Sequence, residues 1–222
     1  MELRAEPGGH QLLSGPVRMV LESAQAQGLI GTADLDAQIR HSAAFLGAVT
    51  KAHSSEPEPG DLLVDLGSGG GLPGLVLATL RPVNPFALVE GSSRRAAFLF
   101  EGVQTCGWVG RVEVLGSRAE IIGHDHVWRG RAAWVFARGF GSPSETAECA
   151  SGLLHVGGGL VISEPPGSDG SRWSRQGLAR LGMEPVGILE AEGFGFMVIR
   201  QVEACPGGFP RRVGVPRKRP LF

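Results

Sequence analysis

Ten consecutive residues concentrate the chemistry of this chain: Asp65-Leu66-Gly67-Ser68-Gly69-Gly70-Gly71-Leu72-Pro73-Gly74. Glycine carries no Cβ and accepts positive φ, so a run of glycines lets the backbone turn sharply and approach a ligand closely. The stretch follows a short apolar run at 62–66 and opens a helical pattern at 74–80. In a parallel α/β sheet, a turn of that kind lies beyond the carboxyl end of a strand, where nucleotide-like ligands sit. An ordinary tight turn with no ligand is the plainer reading, and four glycines among residues 67–71 argue against it.

Two frames run through these glycines. Gly69-x-Gly71-x-x-Gly74 fits the dinucleotide fingerprint, which alone is weak evidence. Asp65-x-Gly67-x-Gly69-x-Gly71 places an acid two residues before the first glycine, the form found in methyltransferases that use S-adenosylmethionine. The second frame is preferred, because it uses Asp65 at the strand's end. In the first, Pro73 stands where the helix must open against a pyrophosphate. The expected cofactor is therefore S-adenosylmethionine, in a pocket formed by Asp65, Gly67, Gly69 and Gly71. Leu72 is expected against the adenosine, and Glu90, at the tip of the next strand, is placed to accept from ribose hydroxyls.

A methyl group on a sulfonium is already activated, so proximity and alignment supply most of the acceleration. A ring nitrogen with a free lone pair has no proton to lose, and no catalytic base is assigned. Arg138, just past the fourth expected strand, falls at the ligand edge of the sheet. Ala119-Glu120, past the third, could meet the adenine through backbone and side chain. Glu164-Pro165-Pro166 looks like the Asp/Asn-Pro-Pro-aromatic motif of amino-group methylating enzymes. It follows the fifth strand and runs into Gly167, so it reads as a rigid loop. Cys149 reads as core, and Cys205 lies in the tail. His124-x-His126 lacks the supporting ligands of a metal centre, and no metal is expected.

These residues need elements to hold them. Apolar spacing predicts helices over 17–27 and 33–51, the second capped by Thr32, then a linker over 53–61. Beyond it, strands are expected at 62–66, 86–90, 111–115, 132–137 and 160–163. Helices are expected at 74–80, 93–106, from 118, 143–155 and 173–181. In the helix at 93–106 the core face is expected to carry Ala96, Ala97, Phe100 and Val103. A hairpin of 186–189 and 194–199 turns across Ala191-Glu192-Gly193. Strands separated by helices imply a mostly parallel α/β sheet covered on both faces. The expected fold is a class I methyltransferase, Rossmann-like, with seven strands and a terminal antiparallel hairpin. It divides into an N-terminal helical extension (1–53), a cofactor-binding domain (54–203) and a basic C-terminal arm (204–222), read as extended.

Composition sets outer bounds. With 42% apolar and 19% charged residues the chain has material for a core. Its apolar runs are too short to span a bilayer, and residues 1–10 do not read as a signal peptide. Three widely spaced cysteines fit the reducing cytoplasm. The net charge of −1 hides an asymmetry, because residues 204–222 carry Arg211, Arg212, Arg217, Lys218 and Arg219 and no acid. A basic arm on an acidic body suits a polyanion such as RNA, and equally a solvated terminus.

At the loop and beyond it, the sequence resembles the bacterial small-subunit ribosomal RNA guanine-N7 methyltransferase family (RsmG, or glucose-inhibited division protein B). The residues that carry the likeness are Asp65 to Gly74 with its Leu-Pro-Gly ending, Arg94-Arg95-Ala-Ala-Phe98-Leu99, Arg118-Ala119-Glu120, Ala137-Arg138, and the tail from Phe209 to Leu221. The resemblance implies a single-domain enzyme that methylates N7 of a guanine in ribosomal RNA; a monomer is expected. It puts Gly67, Leu72, Ala119, Glu120 and Arg138 at the cofactor and the five basic tail residues on RNA. Where the family often has Lys-Gly after the fifth strand, this chain has Ser163-Glu164, and a glutamate there is expected to repel phosphate. A diverged methyltransferase acting on a small molecule or protein, a non-catalytic paralogue and a nicotinamide dehydrogenase remain as alternatives.

Overall fold

A computed structural model of the chain describes residues 13, 15–52 and 57–222. The expectations for residues 1–10 and for 53–56 of the linker lie outside the described residues. Two helices precede the sheet. α1 (Pro16–Ala26) starts with proline in its first turn, where a missing N–H costs nothing, and buries Val17, Val20, Leu21 and Ala24. α2 (Leu35–Lys51) is capped by Asp34, whose Oδ1 accepts from the Ala37 N–H at 2.8 Å. The cap is thus Asp34 and not Thr32, and the helix begins two residues later than expected.

The remaining elements alternate: β1 (Leu63–Leu66), α3 (Gly74–Leu80), β2 (Phe86–Val89), α4 (Ser93–Thr105), β3 (Val112–Leu115), α5 (Ala119–Ile122), β4 (Ala132–Ala137), α6 (Pro143–Ser151), β5 (Leu154–Ser163), α7 (Arg175–Ala179), β6 (Met183–Ala191), β7 (Phe194–Gln201) and α8 (Val215–Lys218). They build one seven-stranded sheet in the order β3-β2-β1-β4-β5-β7-β6. Strands β1 to β5 pair in parallel, and β7 runs antiparallel to both β5 and β6. The winding reverses between β1 and β4, so a crevice is expected beyond their carboxyl ends.

β1, β2 and β4 are buried along their whole length, as strands covered on both faces must be. Side-chain alternation sorts them into two cores. Phe136 joins Phe45, Phe86 and Phe196 beneath α1–α4, while Val135 and Ala137 join Leu160, Leu178 and Ile199 beneath α5–α7. The face of α4 differs from expectation: Ala96, Leu99, Gly102 and Val103 are buried, whereas Phe100 is 55% exposed. The difference arises because α4 packs against α1, where Val20 lies over Gly102.

The fifth strand starts six residues ahead of the expected 160–163, and the glycines at 157–159 are not a turn. α6 stops at Ser151, and β5 already begins at Leu154 and carries its glycines inside the strand. The Trp134 ring lies where a Cβ on Gly159 would stand, so the glycine admits a large ring from the neighbouring strand. The hairpin is longer than expected and closes on Glu192 and Gly193, both at positive φ (53° and 79°), as a two-residue hairpin turn requires.

The C-terminal segment does not extend away from the body. The Arg211 guanidinium meets the fully buried Glu148 carboxylate in a two-point contact, Nε to Oε1 at 2.9 Å and Nη2 to Oε2 at 2.7 Å. The Arg211 N–H adds a third bond to the same carboxylate. The Pro210 ring sits against Gly123 and Gly152, the Leu221 N–H donates to Ser144 Oγ at 2.7 Å, and the Phe222 ring covers Gly177. No helix among the described residues is long and apolar enough to cross a membrane. Replacing Arg211 with alanine leaves Glu148 buried without its partner, a loss on the order of 3 kcal/mol. Chemical denaturation is expected to show that loss, and limited proteolysis of the variant to release the C-terminal segment first.

Candidate functional site

A cleft of about 740 Å³ opens beyond the carboxyl ends of β1, β2 and β4, within the size range of small-ligand sites. Its floor is the loop after β1. Gly67, Gly69 and Gly71 take positive φ (79°, 56° and 107°), which only glycine adopts without strain. A Cβ on Gly67 would stand 2.6 Å from the Phe140 ring, and one on Gly70 would stand 2.7 Å from Ile30. The loop is therefore bare backbone where two other loops, Gly139–Ser142 after β4 and Leu29–Gly31 between α1 and α2, close over it.

Asp65 and Gly71, both expected at the ligand, do not line the cleft. Asp65 is wholly buried, and its Oδ2 accepts from the Gly74 N–H at 2.9 Å, tying the end of β1 to the first turn of α3. Its Oδ1 has no hydrogen-bond partner. Burial pushes this carboxyl up to about 7, against the opposing pull of the Gly74 N–H. Gly71 faces Leu75, where a Cβ would collide. Both residues shape the loop from behind.

The other seven expected positions, Gly67, Gly69, Leu72, Glu90, Ala119, Glu120 and Arg138, all line this one cleft. Glu90 accepts at Oε2 from the Gly69 N–H (2.9 Å), and at Oε1 from the Ser92 N–H (2.7 Å) and Arg95 (3.0 Å). Burial alone would raise its pKa, but Arg95 and the two backbone N–H groups outweigh it and hold the carboxyl below its ordinary value. Arg138 donates to Gln38 Oε1 at 3.1 Å and reaches Ser42 Oγ at 3.5 Å, so α2 steadies it at the rim. Beside it, His41 stacks on Phe196 and meets Phe194 and Phe45 edge-on. Burial, with Arg138 adding to it, brings this imidazole down to about 4, so it is neutral near pH 7.

Glu120 is buried, and its Oε1 accepts from the Gly214 N–H at 2.9 Å. The C-terminal segment thus reaches the cleft, and Arg217 forms part of its wall. The five basic residues of that segment have different settings. Arg211 is spent on Glu148, Arg217 lines the cleft, and Arg212, Lys218 and Arg219 face solvent.

Glu164 does not present a negative charge to the surface. Its side chain is fully buried and accepts from Arg172 (2.6 Å and 3.0 Å), Trp173 Nε1 (3.0 Å) and Ser168 Oγ (2.5 Å). It closes the 164–173 loop, and the repulsion of phosphate expected from it has no exposed charge to act through. His124 binds the Pro210 carbonyl, His126 is exposed, and no cluster of three metal-binding side chains occurs among the described residues. Burial pushes the Cys149 thiol up, which keeps it protonated inside the core.

Residues not anticipated also line the cleft: Leu29, Ile30, Gly31, Arg95, Phe140 and Glu145. Arg95 carries a weak signal, lying five positions after Glu90 at the start of a helix. The 29–31 loop carries none, since it reaches the cleft only through the packing of α1 and α2.

The family described as GidB, rRNA small subunit methyltransferase G, matches residues 10–164. The chain is 32% identical over 173 residues to the ribosomal RNA small subunit methyltransferase G of Moorella thermoacetica, covering 75% of this chain and 72% of the relative. It is 31% identical over 232 residues to the protein of that name from Symbiobacterium thermophilum, covering 99% and 93%. Among solved structures, an SAM-dependent O-methyltransferase from Thermotoga maritima superposes with a TM-score of 0.59 at 13% identity, covering 86% of this chain and 72% of the other. At that identity the likeness is one of fold.

Asp65 gives this geometry a measurable pH signature. Its folded pKa is raised, so between the ordinary carboxylate range and about 7 the folded state holds a proton that the unfolded state has lost. Stability from this group is complete below that window and is lost as pH rises through it. Urea unfolding of wild type from pH 4 to 8 should show the decline, and Asp65→Asn should flatten it. Equal slopes in the two proteins would mean that Asp65 is ionised throughout.

Proposed function

The chain belongs to the GidB family of small-subunit ribosomal RNA methyltransferases, and from that membership we propose that it methylates N7 of a guanine in small-subunit ribosomal RNA, with S-adenosylmethionine as donor. The observation that carries the reading is convergence. Seven residues read from four separate stretches of sequence line one cleft at the point where the sheet's winding reverses.

The residues present suit such a donor. The loop offers bare backbone at positive φ, and a Cβ at Gly67 would fill space against Phe140. Gly67, Gly69 and Leu72 would hold the nucleoside from below, with Glu90 at the ribose, Ala119 and Glu120 toward the base, and Arg138 at the rim. When bound, the cofactor supplies a methyl group on a sulfonium centre. This chain's part is to align that centre with an incoming ring nitrogen and to keep water out, and alignment is the larger share of such catalysis. N7 of guanine has a free lone pair, so no side chain needs to remove a proton.

Substrate contact is assigned to the face that carries Arg212, Lys218 and Arg219, which are exposed beside the cleft-lining Arg217. Cations so placed can bind phosphates independently of sequence. Residues 15–52 act as a helical cover, 57–203 as the catalytic domain and 204–222 as a docked basic segment. The enzyme works as a monomer in the cytoplasm, on ribosomal RNA or the small ribosomal subunit.

Mapping 7-methylguanine in ribosomal RNA from a strain without this gene tests the proposal. One modification should be missing, restored by the wild-type gene and not by Gly67→Arg. In titration calorimetry, Gly67→Arg should weaken S-adenosylmethionine binding by about 100-fold or more, since a side chain there is strained at positive φ and must displace the Phe140 ring in the cleft wall. An unchanged modification map, with methyl transfer to a metabolite extract instead, would reassign the substrate to a small molecule.

A further inference from the structure

Behind the floor of the cleft stands a carboxyl group that the proposed reaction leaves unused. Asp65 is the third of the four residues of β1, and its register partners are Leu88 on β2 and Phe136 on β4. Both belong to the core beneath α1–α4, so the carboxyl lies in an apolar row. Asp65 is wholly buried. Its Oδ2 accepts from the Gly74 N–H, and its Oδ1 has no partner. A carboxyl group so placed avoids the cost of an unpaired buried charge by holding a proton.

The charges around it have opposite signs. Burial is the main reason that its pKa rises to about 7; Ser68 and the Gly74 N–H oppose it, Glu90 at the tip of β2 adds to it, and Arg138 after β4 opposes it. α3, which begins at Gly74, carries no ionisable residue. On α2, His41 feels Arg138 and titrates near 4, outside the range that concerns Asp65. No fixed neighbour therefore settles the charge of Asp65 near neutral pH, and a charge brought by a ligand can.

The order of the sheet tells which part of the ligand comes nearest. The base contacts, Ala119 and Glu120, follow β3, and the ribose acceptor, Glu90, follows β2. Continuing in the order β3-β2-β1, the far side of the ribose comes over the tip of β1, at Gly67. S-adenosylmethionine carries its sulfonium on that side. Gly67 follows Asp65 by two residues, about 7 Å of strand. A unit charge roughly 7–10 Å away changes the proton affinity of a buried carboxyl by about tenfold or more at an effective dielectric constant of about 20.

We propose that Asp65 senses the charge of the cofactor, releasing its proton to solvent when the sulfonium of S-adenosylmethionine enters and regaining it when the neutral thioether product takes its place. This rests on the reading of the cleft as the S-adenosylmethionine site. Methyl transfer moves the methyl group and its positive charge together onto the ring nitrogen, and the sulfur left behind is neutral. Ionised Asp65 thus favours the donor over the product through its field, without touching either. The sign of the pH dependence follows. Where the empty protein holds the proton and the donor complex does not, donor affinity climbs with pH and product affinity stays level.

The test is titration calorimetry on the full chain with S-adenosylmethionine, with sinefungin, which has an amine cation in place of the sulfonium, and with S-adenosylhomocysteine. Each is measured from pH 5.5 to 8 in two buffers of different ionisation enthalpy. Near pH 6.5 both cationic ligands should release about half a proton more than S-adenosylhomocysteine. Their advantage over it should grow roughly tenfold between pH 5.5 and 7.5. Asp65→Asn keeps an acceptor for the Gly74 N–H and should remove both differences. A second readout needs only wild type: in infrared difference spectra, sinefungin should bleach a protonated-carboxyl band and S-adenosylhomocysteine should leave it. Equal proton release by the three ligands, a difference that survives in Asp65→Asn, or an unchanged carboxyl band overturns the proposal. If none of the compounds binds, the cofactor reading of the cleft falls first and this inference falls with it.

Discussion

The hydrogen bond from the Gly74 N–H to the buried Asp65 carboxylate sets the geometry of the cleft. It closes the loop between β1 and α3 from behind, leaving the intervening glycine backbone free to face forward. Glu90 adds the second restraint by holding the Gly69 N–H from the tip of the neighbouring strand. With the loop pinned at both points, the positive-φ glycines occupy one conformation and not many, and the cleft exists before any ligand arrives. Such preorganisation spares a ligand the cost of ordering the loop.

The same device recurs through the molecule. Four buried acids each organise one irregular segment: Glu90 the glycine loop, Glu120 the bend at Gly214, Glu148 the chain at Arg211, and Glu164 the loop through Ser168, Arg172 and Trp173. Irregular backbone has no ladder partners of its own, and a carboxylate that accepts several N–H groups supplies a local substitute. The surplus of acid over base in residues 1–203 is thus partly structural, because some of that charge is sunk into holding the basic tail and the loops. The tail in turn serves two surfaces, with Arg217 facing the cleft and Arg212, Lys218 and Arg219 facing outward. The cleft and the proposed RNA surface meet in one short segment.

Much of the fold could be read locally. β4 (Ala132–Ala137) and α3 (Gly74–Leu80) match their expected limits, because each is a compact apolar run bounded by turn residues. The long β5 could not be read this way. Its glycines look like a turn in isolation, and only the Trp134 ring from the adjacent strand explains why they lie within the sheet. Phe100 shows the same limit in a helix. Periodicity marks an apolar residue but does not say which flank of α4 meets α1.

By itself, the sequence determined the strand–glycine loop–helix unit, the acid at its head, the further acid at the tip of β2 and the alternation that builds a parallel sheet. All of these rest on short-range chemistry: backbone freedom, side-chain period and the reach of a few residues. Only the tertiary structure decided that Asp65 works behind the loop, that Glu164 is neutralised by Arg172, and that the basic tail is docked with Arg217 at the cleft. The physical reason is common to all three. A carboxylate's role depends on which N–H groups and cations come within about 3 Å of it. Here those partners arrive from a neighbouring turn, a loop closure or a segment some ninety residues away, as Gly214 does for Glu120.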